Sequence, residues 1–325
     1  MNPFAYVKVE NTPEALAAVR ERGAHYIAGG TNLLDLMKID VETPRMLVDI
    51  NRLSLQSIEL HGDSLHIGAL ARLTDVAGDV AVRRNFPLVA IALEESASPQ
   101  LRNMATIGGN LMQRTRCPYF RDVATPCNKR VPGSGCGAVD GENRRLAVLG
   151  TSPHCICVHA SDLAVALSAL DATVSVSGPD GEREIPFREF YRLPGDTPQI
   201  ETSLRPYELI AGVSLPLLPV SSHSTYVKVR DRAQYDFALA SAAVAVDLSG
   251  EMIREARVAL GGVATIPWRS HEAERELRGA PANRDTFERA AKAATAGALG
   301  RGANDYKIPL AQRTLVRALT IAVAS

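Results

Sequence analysis

Apolar and polar positions along the chain change period several times, and each change marks an element. "NTPEALAAVRERG", residues 11–23, has helical spacing, with Thr12 as the predicted N-cap, Pro13 at the first helical position and Gly23 just past the end. "HYIAGG" follows as a short strand running into a glycine turn, "NLLDLMK" begins a second helix, and "RMLVDI" is apolar enough for a buried strand. "SIELHGDSLHIGAL" is two alternating runs around Gly62–Asp63, which predicts a hairpin. From Thr74 to about Ser98 the period is helical again. "SDLAVALSALDA" predicts a compact helix capped by Ser161 or Asp162, and "ATVSVSGPDGEREI" a hairpin around Pro179–Gly181.

A boundary is expected near residues 217–224, "LLPVSSHS", after the strand "ELIAGVSLP". Beyond it lie three alternating segments, "TYVKVRDR", "FALASAAVAVDL" and "MIREARVALGGV". Three helical ones follow, "SHEAERELRG", "NRDTFERAAKAATAGA" and "LAQRTLVRALTIAVA". Strands followed by helices indicate α+β architecture. The expected division is residues 1–220 and residues 221–325, the second part being a three-strand, three-helix domain.

One stretch has no period at all. "RCPYFRDVATPCNKRVPGSGC", residues 116–136, is built from Pro, Gly, Arg and Asn and carries three cysteines. All five cysteines of the chain, Cys117, Cys127, Cys136, Cys155 and Cys157, fall within 41 residues. An odd, clustered set without a secretory signal argues against a disulfide framework and for a metal or cluster site. The spacing C-x9-C-x8-C-x18-C matches neither the ferredoxin pattern nor paired zinc-ribbon motifs, so spacing leaves zinc and iron–sulfur open. Four thiolates complete such a site, which leaves one cysteine spare.

The 325-residue chain is 46% hydrophobic and carries 36 basic and 36 acidic residues, an ordinary globular composition that disfavours nucleic-acid binding. No apolar run approaches the roughly 18 residues needed to cross a bilayer, so membrane insertion is not expected. The N-terminal residues carry no secretory signal, which makes the cytoplasm the default compartment. No nucleophile–His–carboxylate set stands out, and no catalytic residue is assigned.

"AGGTNLL", residues 28–34, offers a different chemistry. Gly29 and Gly30 can expose backbone N–H groups while Thr31 and Asn32 cap the helix that follows, a set of donors suited to a pyrophosphate. "TIGGN", residues 106–110, repeats the pattern, and two such turns could close on one dinucleotide from both sides.

These segments, "AGGTNLLDLMK", "ATIGGN", "HASDLAVALSALDA", "ELIAGVSLP" and "ALGGVATIPWR", resemble the FAD-binding subunits of the xanthine dehydrogenase family of molybdenum hydroxylases, over nearly the whole chain. The cysteine stretch is similar to that of the subgroup whose flavin subunit also holds a [4Fe-4S] cluster, typified by periplasmic aldehyde oxidoreductase. The resemblance implies a two-part FAD-binding domain of the vanillyl-alcohol oxidase / p-cresol methylhydroxylase type, followed by a domain of the CO dehydrogenase flavoprotein type. It implies FAD contacts from Ala28, Gly29, Gly30, Thr31, Asn32, Leu33 and Leu34, from Thr106, Gly109 and Asn110, from Asp162 to the ribose or adenine, and from Ile210 and Lys228 near the flavin ring. Simpler members lack most of residues 111–160, so this segment is expected to be an insert built around one [4Fe-4S] cluster.

The resemblance also names the ligands, Cys117, Cys127, Cys136 and Cys155. Cys157 is expected to turn away as a buried bystander, with His154 and His159 as remote substitutes. Seven basic against three acidic residues between Arg114 and Arg145 would surround the anionic cluster with positive charge and raise its potential. The implied function is an electron-transfer subunit. It would work with a molybdenum-binding large subunit and a [2Fe-2S] small subunit, passing electrons to FAD and an external acceptor. Co-export with a twin-arginine-bearing partner is an implied route to the periplasm. A self-contained flavin oxidoreductase and a zinc-stabilised binding protein are the alternatives.

Overall fold

The computed structural model describes residues 1–218 and 223–324. The boundary expected at residues 217–224 includes the four positions 219–222, which lie outside the described residues. Three sheets organise the chain. The first is parallel, in the order β1 (Ala5–Lys8), β3 (Met46–Asp49), β2 (Ala24–Ile27). Helices α1 (Thr12–Ala18) and α2 (Leu33–Lys38) connect its strands. Asn11, rather than Thr12, caps α1: its side chain accepts from the Glu14 N–H at 3.0 Å, while the Glu14 carboxylate accepts from the Glu10 N–H.

The second sheet is antiparallel, in the order β4 (Ile58–His61), β5 (Ser64–Gly68), β8 (Leu209–Pro216), β6 (Thr173–Gly178), β7 (Gly181–Pro186). Both predicted hairpins are present in it, and Gly62 turns the first with φ +58. The helical stretch after Thr74 is broken into α3 (Leu73–Gly78), α4 (Val80–Asn85) and α5 (Pro87–Glu94). Extended Asp79 caps α4 through its side chain, and Pro87 forces the next break. These helices and α9 (Asp162–Ala169) bury their apolar faces on the sheet around Phe86, Leu88, Leu93, Leu167 and Phe190. Between α5 and α9 lie the single-turn helices α6 (Pro99–Arg102), α7 (Ile107–Leu111) and α8 (Pro118–Arg121), and α10 (Phe187–Phe190) follows the second hairpin.

The third sheet, order β12-β11-β10-β9, belongs to the C-terminal part and has four strands rather than three. β9 (His223–Val229), β10 (Ala240–Ser249) and β11 (Met252–Gly261) match the alternating segments, whereas β12 (Trp268–Arg269) is too short to show a period. Helices α11 (His271–Leu277), α12 (Arg284–Ala294) and α13 (Lys307–Ala324) cover it. No described helix is long and apolar enough to cross a membrane.

The cysteine-bearing insert contains only α8 and a few isolated bridges. Its later half is nevertheless well anchored. Val148 and Leu149 enter the C-terminal core, and both of their N–H groups donate to the Val263 carbonyl. Fully buried Lys307 donates to the carbonyls of Arg145 (2.9 Å), Leu146 (3.2 Å) and Gly262 (2.6 Å). Residues 145–149 are thus seated on the C-terminal part, outside the aperiodic stretch 116–136 that carries three of the cysteines.

Burial, with Arg145 and Arg144 nearby, pushes the Lys307 ammonium down to about 7. An unfolded chain thus binds this proton more tightly between about pH 7 and the ordinary lysine value, so this residue's contribution to stability rises with pH across that window and is lost as pH falls towards 7. Thermal denaturation from pH 7 to 10 is expected to show this rise in the wild type. In Lys307→Met the rise should be missing and the melting temperature lower, because the carbonyls around this amine lose their donor.

A glycine groove beside a thiol cluster

β2 ends at Ile27, and the chain turns through Ala28–Asn32 into α2. Gly30 takes φ +71, a left-handed conformation that disfavours side chains. Gly29 is required for another reason: a Cβ there would stand 1.9 Å from the Met104 carbonyl oxygen. That oxygen belongs to the segment leading into the second turn, so the two glycine turns touch backbone to backbone. In the second turn Thr106 caps α7 by accepting from the Gly109 N–H at 3.2 Å, and the Gly108 N–H is spent on the Ala69 carbonyl.

Between the turns lies a groove of about 570 Å³, lined by Gly29, Gly30, Thr31, Thr106, Gly109 and, from the second sheet, Ile210. Ala28, Asn32 and Leu33 also line it. Leu34 does not; its side chain packs under Gly30. Asn32 differs from expectation. It makes no capping bond; instead its Oδ1 accepts from the Arg114 N–H at 3.1 Å, and its buried Nδ2 has no partner. A backbone cradle that a Cβ would fill, together with an orphaned buried donor, fits a dinucleotide whose phosphates bring acceptor oxygens. The Tyr26 phenol is buried enough at the groove's edge for its pKa to rise above the ordinary range.

Three predicted contacts stand apart from this groove. Asn110 accepts from the Ser161 hydroxyl at 2.5 Å, and Ser161 caps α9. Next to it, Asp162 accepts from Lys228 at 2.8 Å and from the Tyr226 hydroxyl at 2.7 Å, while Lys228 also donates to the Glu95 carbonyl. The Asp162 and Lys228 side chains are 7% and 1% exposed, so this ion pair ties α9 to β9 from inside. Burial raises the Asp162 pKa against the opposing pull of Lys228.

On the other side of α2 the five cysteines come together. Cys117, Cys127, Cys155 and Cys157 share one apolar cluster with Leu36, Phe120, Leu146 and Ile156, and Cys136 packs against it. Cys127 and Cys136 face each other across an isolated antiparallel bridge. Burial pushes the Cys117 thiol up to about 12, with Cys157 the next contributor. Cys157 does not turn away. Residues two apart on an extended segment share a face, and the Cys155 thiol bonds to Cys157, which raises the Cys155 pKa and lowers that of Cys157.

His154 lies outside the cluster, 3.4 Å from Asp196. His159 is neutral, its pKa pushed down to about 3 by burial, with Nδ1 accepting from the Ser161 N–H and the ring edge-on to Tyr191. Among the described residues no three His, Cys, Asp or Glu side chains converge tightly enough for a single metal ion.

The basic residues of the insert are mostly spent as clamps. Arg114 pairs with Glu42 and Glu201, and Arg116 and Arg121 share Asp35 of α2. Arg130 donates to the carbonyls of Tyr119 and Phe120, and Arg144 and Arg145 hold Asp231 and Asp236. The positive surround expected from sequence is thereby largely cancelled by acids from outside the insert. Lys129 is the exception in placement: it is 8% exposed, donates to the Pro198 carbonyl and stands 3.3 Å from Glu201. Burial alone would lower its pKa, but Cys157, Glu201 and Cys155 outweigh burial and raise it.

Sequence reasoning missed Arg72 and Asn51 behind the groove, and Lys307, because none sits in a recognisable motif.

Comparison with known proteins supports FAD binding by this chain. Residues 2–218 match the family described as FAD binding domain in molybdopterin dehydrogenase, and residues 225–322 match the CO dehydrogenase flavoprotein C-terminal domain. The chain is 50% identical to the aldehyde oxidoreductase FAD-binding subunit of Escherichia coli (strain K12), covering 100% of this chain and 99% of that one. It is 30% identical to the glyceraldehyde dehydrogenase medium chain of Sulfolobus acidocaldarius, covering 87% and 83%. Among solved structures, a carbon monoxide dehydrogenase from Hydrogenophaga pseudoflava superposes with TM-score 0.78 at 27% identity, covering 99% of this chain and 98% of that one. These descriptions name FAD and no iron–sulfur cluster.

Gly30→Val would place a branched side chain at φ +71 with its Cβ 2.9 Å from Leu34. The expected outcome is loss of flavin absorbance near 450 nm with circular dichroism largely retained.

Proposed function

Because the chain belongs to the FAD-binding flavoprotein subunits of the molybdenum hydroxylase family, we propose that it is the FAD and [4Fe-4S] subunit of an aldehyde-oxidising complex. In this reading it works beside a molybdenum-binding large subunit and a [2Fe-2S] small subunit. Bound here, the flavin would take up and release one or two electrons and the cluster one.

The chain's own residues supply binding, orientation and insulation. Gly29, Gly30 and Gly109 present backbone to the pyrophosphate, and the free Asn32 Nδ2 gives it one more donor. Ile210 and Tyr26 give the groove apolar walls. Asp162 and Lys228, bonded to each other, lie beyond the second turn, where Asn110 bonds Ser161. Cys117, Cys127, Cys136 and Cys155 are the proposed cluster ligands. Cys157, bonded to Cys155, is a fifth thiol within the same cluster.

The observation that carries the two-cofactor reading is the position of α2. Leu36 lines the glycine groove on one side and packs among the cysteines on the other, so one helix separates the two sites. Electrons could then move between cofactors without leaving the protein interior.

Iron, sulfide and flavin counts on purified variants test this. Serine at Cys117, Cys127, Cys136 or Cys155 should remove most iron, because a hydroxyl is a poor substitute for a soft thiolate, while FAD is retained. Cys157→Ala should leave about four irons per chain. Wild-type protein with flavin but no iron and no acid-labile sulfide would overturn the cluster and leave the FAD assignment standing. The isolated chain should show no aldehyde oxidation; robust turnover without molybdenum would make it a self-contained flavoenzyme.

A further inference from the structure

We infer that Arg72 and Asn51 are positioning residues that set the distance between the two glycine turns, so that affinity for FAD depends on a brace behind the groove as well as on its walls. The inference rests on the FAD reading of that groove.

Each turn has its own attachment. The second is paired to the segment after β5: the Gly108 N–H donates to Ala69 O at 2.8 Å, Ile107 to Ala71 O at 3.1 Å, and Arg72 forms an isolated bridge with Thr106. The first follows β2, whose last backbone bond of this kind runs from the Ile50 N–H to Ile27 O at 3.0 Å. One residue further on, the Ala28 carbonyl is taken by a side chain, Asn51 Nδ2, at 3.0 Å.

Arg72 joins the two attachments. Its Nη1 donates to the Met104 carbonyl, the group against which Gly29 packs, and its Nη2 donates to Asn51 Oδ1 at 3.0 Å. A planar guanidinium holds both bonds in one rigid fork. Asn51 is itself fixed from behind. Its Nδ2 and its backbone N–H both donate to Asp49 Oδ1, at 2.7 and 2.9 Å, and Asp49 accepts from the Tyr6 hydroxyl. The result is one continuous hydrogen-bonded line, Tyr6–Asp49–Asn51–Arg72–Met104, passing behind both turns.

Neither Arg72 nor Asn51 lines the groove, so neither is placed to touch a bound dinucleotide. Their effect is geometric. With the Arg72 fork removed, the Met104 carbonyl and Asn51 Oδ1 lose their shared donor, and the spacing rests on the bare contact of Gly29 with Met104. A pyrophosphate held from both sides is sensitive to that spacing, since hydrogen bonds weaken steeply once donor and acceptor move beyond about 3.2 Å.

The test uses the full-length chain, stripped of flavin and titrated with FAD by fluorescence, in Arg72→Gln, Asn51→Ala, the double variant, Arg72→Lys and Gly30→Val. Arg72→Gln and Asn51→Ala should each weaken FAD binding tenfold or more. The double variant should be no weaker than the worse single one, because both changes break the same line. Arg72→Lys, which can serve only one of the two acceptors well, should fall between Arg72→Gln and wild type. Additive losses, or wild-type affinity in Arg72→Gln while Gly30→Val fails to bind, would overturn the brace and leave the groove assigned. Wild-type affinity in Gly30→Val would overturn the groove itself. If Arg72→Gln does not fold, Arg72→Lys decides, and unchanged FAD affinity in that variant overturns the brace.

Discussion

At Gly29 the backbone lies against the Met104 carbonyl with no room for even a methyl group between them, and the ligand groove exists because of that contact. It brings together two turns that are about 75 residues apart in sequence, one leaving a parallel sheet and the other leading into α7. The geometry on either side follows. Gly30 must take a left-handed conformation to redirect the chain into α2, and α2 must start where it does to present Leu36 to the cysteines. A flavin domain and a thiol cluster thus share one short helix as a common wall.

The charges of the insert act mainly as fasteners. Arg114, Arg116 and Arg121 reach acids on or near α2, while Arg144 and Arg145 reach Asp231 and Asp236 beyond the boundary. Most of these pairs are partly exposed and individually contribute little. Spread over both domains, they orient the insert more than they stabilise it. Lys129 is the cation placed to act on the thiols, because it is buried among them.

Much of this was readable from residue patterns. Both hairpins, the Ser161-capped helix and the three long C-terminal strands follow from period and turn chemistry, and the two glycine turns singled out by composition meet at one groove. The rest depended on tertiary contacts. Asn11 displaces Thr12 as a cap because Glu14 pairs with it both ways: the Glu14 N–H donates to Asn11 Oδ1, and the Glu14 carboxylate accepts from Asn11 Nδ2. β12 is two residues long and owes its pairing to β11 alone. Asp162 and Lys228 were placed beside the ligand by family likeness, yet in the fold each satisfies the other. Cys157 faces the same way as Cys155, as residues two apart on an extended segment do. Arg72 carries no motif, and its role appears only when the two turns are seen in space.

The seating of the insert has a consequence for how the chain is made. The carbonyls of Arg145 and Leu146 wait for an ammonium that follows them by 162 and 161 residues, and the Ala147 carbonyl waits for Asn304, 157 residues later. A ribosome will have released the cysteines long before it delivers the groups that lock their loop in place. The thiols therefore pass through synthesis in an unfinished pocket. Arrival of α13 closes that interval, so the last helix of the chain acts as the clasp of a site built near its middle.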